Sequence, residues 1–172
     1  MKKSVLTHYT IIYILLFCIP KNTISQNPIN IIQSNQLEQI IVNDTIFQKF
    51  SGDVIVEYSD LNIQCDTMMI DEYKNNVRGW GNLRIYNDTL NCISDSIIIK
   101  QTDKKIIFYN NSILSTKDII IQSNNIEYNF KDEIIYYYTS GNVKIDSFDI
   151  KSEKLEHNFK KNISNFKKNV VA

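Results

Sequence analysis

Along most of this chain, apolar and polar residues alternate with a period of two. Gly52, Val54, Val56 and Tyr58 share one parity, as do Gly81, Leu83 and Ile85, and again Gly141, Val143 and Ile145. A second alternating series runs Leu61-Ile63-Cys65, Leu90-Cys92-Ser94, Ile119-Ile121-Ser123 and Phe148-Ile150-Ser152. Period two places every second side chain on one face of a β-strand, whereas a helical stripe needs a period of 3.6. No stretch beyond residue 25 carries such a stripe with caps, so the pattern predicts an all-β protein.

The two series recur. Ile63-Gln64-Cys65-Asp66-Thr67-Met68 aligns with Cys92-Ile93-Ser94-Asp95-Ser96-Ile97, with Ile121-Gln122-Ser123-Asn124-Asn125-Ile126 and with Ile150-Lys151-Ser152-Glu153-Lys154-Leu155. The anchors at 65, 94, 123 and 152 are 29 residues apart, and Ile32-Gln33-Ser34-Asn35-Gln36-Leu37 is a weaker earlier copy. Between them lie Gly52-Asp53-Val54, Gly81-Asn82-Leu83, Asn111-Ser112-Ile113 and Gly141-Asn142-Val143, spaced by 29, 30 and 30. Self-similarity at such a period marks a repeat architecture, here with two long or four short strands per unit. A small residue followed by Asp or Asn suits a corner, because the short side chain can bond nearby backbone. The rival reading, a ladder of calcium ligands, lacks the glycine-rich nonapeptides that calcium-binding β-rolls use.

Composition changes this picture little. Of 172 residues, 43% are apolar and 22% charged, as in a folded domain, and only 4 are glycine. The N-terminus changes it more. Lys2 and Lys3 precede an apolar run from Thr10 to Ile19, too short to span a bilayer, with Thr23 and Ser25 positioned for cleavage before Gln26. Residues 1–25 are therefore expected to be a signal peptide. Their loss removes Lys2, Lys3 and Lys21 from 19 basic residues and none of 19 acidic ones, a net charge of −3. That balance argues against nucleic acid as a partner. The alternatives are a retained N-terminal anchor, or a lipoprotein at Cys18, where the bulky Phe17 stands in place of a small residue.

Catalytic signatures are missing. Beyond residue 25 the sequence has one histidine, His157, expected to be a surface or partly packed residue. No G-x-S-x-G, C-x-x-C, H-E-x-x-H or P-loop pattern occurs, so the chain is expected to be no enzyme and to need no cofactor. Trp80 falls opposite the inward face. Cys65 and Cys92 are expected to be unpaired, since their repeat positions place them farther apart than the roughly 7 Å limit between bridged Cα atoms.

The segment Gly52 to Asp66, followed by Val77-Arg78-Gly79-Trp80-Gly81-Asn82-Leu83-Arg84-Ile85, resembles the OstA-like (LptA) family of lipopolysaccharide transport proteins, and the likeness spans residues 31 to 158. The resemblance implies an antiparallel β-jellyroll bent into a V or taco shape. Its domain would cover 26–158, with 159–172 left as a basic, frayed tail. It also implies a periplasmic bridge that carries lipopolysaccharide from inner to outer membrane, holding acyl chains inside the V. Copies would stack head to tail and meet LptC-like and LptD-like components by pairing edge strands. Few residues that would block an edge occur between Ile40 and Phe47.

The inward parity nominates Val54, Val56, Ile63, Leu83, Ile85, Ile97, Ile121, Ile126, Val143 and Ile145 as the lining of the trough. Residues alone leave two readings of that face open, a dry core and a lipid groove. Two further functions stay in view: an LptC-like anchored component of the same fold, and a surface β-solenoid that adheres through its outer face.

Overall fold

The computed structural model describes residues 29–71 and 73–172; the expected signal peptide and Cys18 lie outside them. The described residues form one antiparallel sheet of 13 strands and contain no helix. In chain order the strands are β1 (Asn30–Gln33), β2 (Gln36–Val42), β3 (Thr45–Tyr58), β4 (Leu61–Asp71), β5 (Asn76–Tyr86), β6 (Asn91–Lys100), β7 (Lys105–Ser115), β8 (Ile119–Asn129), β9 (Ile134–Tyr137), β10 (Gly141–Ile145), β11 (Phe148–Ser152), β12 (Lys154–Asn158) and β13 (Ile163–Lys167).

From β3 to β8 each strand pairs with the next. The hairpin turns are built from residues that tolerate a left-handed backbone. Asn43 and Asn75 have φ of 48° and 50°, and Ser59 has φ of 59°. Side chains close the other ends. Asn87 Oδ1 accepts hydrogen bonds from the backbone N–H groups of Thr89 and Leu90 at 3.0 and 2.8 Å. Asn129 Oδ1 accepts from those of Lys131 and Asp132, both at 3.1 Å.

Every long strand is bent near its middle, where the register slips between Ser51 and Val54, Gln64 and Thr67, Trp80 and Leu83, Ile93 and Ser96, and Tyr109 and Ser112. A β-bulge at the same place in successive strands folds the sheet along one crease. Two arms result, and the apolar faces of both contribute to one core cluster. At the ends of the stack the long strands are split. β3 pairs with β1 on one arm and β2 on the other, and β8 pairs with β10 and β9 in the same way.

The backbone of the crease is left-handed at Gly52–Asp53 (φ 76° and 48°), Gly81–Asn82 (φ 79° and 45°) and Asn110–Asn111 (φ 61° and 45°). Glycine and the short amides are the residues that enter this region at least cost. The third corner is therefore Asn110-Asn111-Ser112, one residue earlier than the alignment of Asn111-Ser112-Ile113 expects. Asparagine in place of glycine hid the register.

Residues 159–172 also differ from expectation. They are not a frayed tail, because β13 pairs with β12 from Ile163 to Lys167 and Val171 exchanges two backbone hydrogen bonds with Lys151. Phe166 packs against the core and anchors the segment.

Candidate functional site

The small-then-acid motif acquires a physical meaning at the crease. Alternation sends its small residue inward and its acid outward. On the inner side, Ser94 Oγ lies 2.9 Å from Ser112 Oγ and donates toward Tyr109 O at 2.9 Å. Ser152 Oγ lies 2.6 Å from the Tyr137 hydroxyl, and the Cys65 thiol donates to Thr67 O at 3.3 Å. Small side chains occupy this inner angle, and their hydroxyl and thiol groups bond backbone carbonyls beside the bulge.

On the outer side, amide and acid form rungs between neighbouring strands. Asn35 donates to Asp53 at 3.3 Å, Asn82 to Asp66, Asn111 to Asp95 at 2.9 Å, and Asn169 to Glu153. The acids therefore bond side-chain amides of the next strand, a cross-strand role added to the corner role read from sequence. Among the described residues, no three His, Cys, Asp or Glu side chains gather as a metal-binding group. One rung is broken. Asn124 stands opposite Asn142, so this rung has no acid on either side, and Asn142 Oδ1 is buried without a hydrogen-bond partner. A cleft of about 640 Å³ opens there, lined by Asn111, Gln122, Asn124, Asn142 and Lys151 among others.

The ten residues nominated from sequence converge between the arms. Val54, Val56, Ile63, Leu83, Ile85, Ile121 and Val143 come from one arm and Ile97 and Ile126 from the other, and all nine are buried. Ile145, near the end of its arm, is half-buried and packs on the same cluster. The face is closed in this conformation: Val56, Ile63, Ile85, Ile121 and Val143 are 0% exposed. Large side chains missed by the sequence reading complete it, among them Phe50, Met68, Phe108, Ile135 and Leu155. Several sit beside outward-facing isoleucines, so the local sequence reads as a continuous apolar run. Ile97-Ile98-Ile99 and Ile106-Ile107-Phe108 are examples, and the parity is hidden there.

Two nucleophilic side chains and one imidazole are also buried. Cys65 and Cys92 are free thiols, as their spacing required. Burial pushes the Cys65 thiol up to about 11 and raises that of Cys92 as well. His157 is a core residue rather than a surface one. Its Nδ1 lies 2.8 Å from Ser164 Oγ, its ring meets the edge of Phe159 at 4.6 Å, and burial lowers its pKa. Trp80 lies on the outer face, 37% exposed.

The arms meet again at their tips. The turns Ser59–Asp60, Asn87–Leu90 and Thr116–Asp118 of one arm face Tyr128, Phe130, Glu133 and Phe159 of the other across a cleft of about 920 Å³. Tyr58 and Phe130 touch edge to face across this mouth, with ring centroids 5.4 Å apart.

Comparison with known proteins agrees with this architecture. The model of the family described as OstA-like protein matches residues 26–172. Among solved structures, the chain resembles LptH, described as the LptA homologous periplasmic component of the conserved lipopolysaccharide transport device from Pseudomonas aeruginosa. The two share 15% sequence identity and a TM-score of 0.55 over 63% of this chain and 80% of that one. A search of curated proteins gives no match. With the whole described sheet inside the matched region, the chain belongs to the OstA-like protein family.

Proposed function

We propose that this protein is a non-enzymatic lipopolysaccharide carrier of the periplasm that holds acyl chains between the two arms of its roll. The observation that carries the reading is the convergence of apolar residues from both arms on one continuous face, within the fold of an LptA homologue. Each acyl methylene moved out of water gains about 0.8 kcal/mol, so a chain of a dozen carbons needs a long apolar wall. Successive strands about 4.8 Å apart supply one. Because the face is closed, chains can enter only if the arms part along the crease and exchange side-chain contacts for lipid contacts.

The sheet edges support the second half of the reading, head-to-tail assembly with further copies and with LptC-like and LptD-like partners. On β2, which pairs only with β3, Leu37, Ile41 and Val42 are exposed apolar residues. An uncovered apolar edge strand is a template for pairing with another chain.

Photocrosslinking tests the lipid reading. Probes at Val56, Ile85 and Val143 are expected to give lipopolysaccharide adducts, and one at the outward Arg84 is not. Adducts at Arg84 with none at the three inner positions would refute it. The closed core also favours a second reading, a structural β-roll with a dry interior and a binding outer face. The same experiment separates the two. N-terminal sequencing of the exported protein distinguishes a soluble carrier beginning near Gln26 from an LptC-like anchored form that keeps residues 8–19.

A further inference from the structure

The mouth between the arm tips is continuous with the core beneath it. Leu90 belongs to the core cluster and Tyr128 packs against it, yet both line the cleft. Above them stand Phe130 and Phe159, with Tyr128 and Phe159 edge to face at 6.3 Å. Tyr58, on the opposite arm, is 2% exposed, belongs to the core cluster and meets the rim through Phe130. This ring contact joins residues 72 positions apart, and no hydrogen bond reinforces it.

The rim is acidic. Asp60, Asp88, Asp118 and Glu133 line the cleft against one lysine, Lys117. Asp60 is held by the Asn87 side-chain amide at 2.7 Å, and Glu133 is drawn to Lys160 at 3.4 Å. Burial, with Asp60 and Glu133 nearby, raises the Tyr128 phenol to about 12, so both arms contribute to one electronegative mouth. A bare phosphate placed here would meet like charges in a partly desolvated cleft, which costs more than it would in open water.

We propose that this cleft is the entry port for an acylated ligand, that the Tyr58–Phe130 contact is a latch that parts as a chain passes inward, and that the acidic rim admits an uncharged-sugar or amine-bearing head in preference to a bare phosphate. This deepens the carrier reading and rests on it. The chain end slips past the aromatic rings onto Leu90, while the head stays among the aspartates and Asn87. Selection at the rim is electrostatic and therefore weakens as salt is added.

Three amphiphiles with the same dodecyl chain test this, each titrated calorimetrically below its micelle concentration: dodecyl maltoside, dodecylamine and dodecyl phosphate. At low salt the first two are expected to bind about tenfold more tightly than the phosphate. In the Asp60→Asn, Asp118→Asn double variant that ratio should fall to about twofold. The latch is tested by bridging Tyr58→Cys to Phe130→Cys with a short bis-methanethiosulfonate linker, which the buried Cys65 and Cys92 do not reach. The bridge is expected to abolish uptake of all three probes, and reductant to restore it. If Tyr58→Cys does not fold, Ser59→Cys with Phe130→Cys applies the same tether from an exposed turn. Dodecyl phosphate binding as tightly as dodecylamine to the intact rim, or undiminished uptake by the bridged protein, would overturn the proposal. If the bridged protein still gives lipopolysaccharide adducts at Val56, the port lies elsewhere and the carrier reading survives. If no probe binds in either form, both fall.

Discussion

The side-chain amide of Asn82 donates to both carboxylate oxygens of Asp66, at 2.9 and 3.1 Å, across the outer side of the crease. The bond ties neighbouring strands where the ladder is interrupted. It also fixes Asp66 directly over Gly81, where an added Cβ would fall 2.5 Å from the Asp66 carboxylate in a backbone with φ +79°. Gly81→Ala is thus expected to cost about 1–3 kcal/mol, from the left-handed strain and the displaced carboxylate together. Asp66→Ala should cost about 0.5–1.5 kcal/mol, one exposed hydrogen-bonded pair. Urea unfolding gives both values, and equal losses would contradict the steric part of this account.

The fourth rung offers the reverse experiment. Asn124 and Asn142 are both amides, and Asn142 Oδ1 is buried without a partner. Asn124→Asp supplies an acceptor for the Asn142 side-chain N–H, as the acids of the other rungs do for their amides, and leaves Oδ1 as it is. It is expected to stabilise the fold by about 1 kcal/mol, read as a higher thermal midpoint. A lower midpoint would show that the gap at this corner is preferred by the fold.

His157 makes stability sensitive to acid. Burial depresses its folded pKa below the ordinary 6.5. Above about pH 6.5 the imidazole is neutral in both states and its contribution is complete. As pH falls from there through the folded value, the unfolded chain takes up the proton first, so stability declines. Thermal midpoints measured between pH 7.5 and 5.5 should fall for the native sequence and stay flatter for His157→Gln, which retains a partner for Ser164. Parallel curves would remove His157 from the explanation.

At the edge, Leu37 and Ile41 of β2 are 62% and 68% exposed. Lysine is the common device against edge pairing. Leu37→Lys with Ile41→Lys is expected to abolish concentration-dependent self-association in sedimentation velocity while leaving the thermal midpoint within about 0.5 kcal/mol of equivalent stability. Self-association that persists unchanged would move the joining surface to the opposite end of the stack.

How much of this was legible in the sequence depends on which force wrote each residue. Ile63 and Leu83 stand between polar neighbours, so their inward direction could be read from parity alone, and Val54, Val56 and Ile85 extend the same parity. Phe108 could not, because it follows Ile106-Ile107 in a run with no alternation. The recurrence of small-then-acid pointed correctly to corners, and the bent strands account for both alternating series. Asn110–Asn111 escaped because an asparagine pair does the work of Gly-Asp. The strand at Ile163–Lys167 was masked by the flanking lysines Lys160, Lys161, Lys167 and Lys168, while Phe166 turns to the core. The Tyr58–Phe130 contact was invisible, since nothing local to either residue announces a partner 72 positions away.

The central claim is that a face closed in the empty protein opens to receive acyl chains. Spin labels at Asp88→Cys and Lys161→Cys, exposed turn positions on opposite arms, report the separation of the tips by pulsed dipolar spectroscopy. Adding lipopolysaccharide is expected to shift the distance distribution to longer values, and removing it to restore the shorter one. Lipopolysaccharide bound in crosslinking with the inter-arm distance unchanged would contradict the claim.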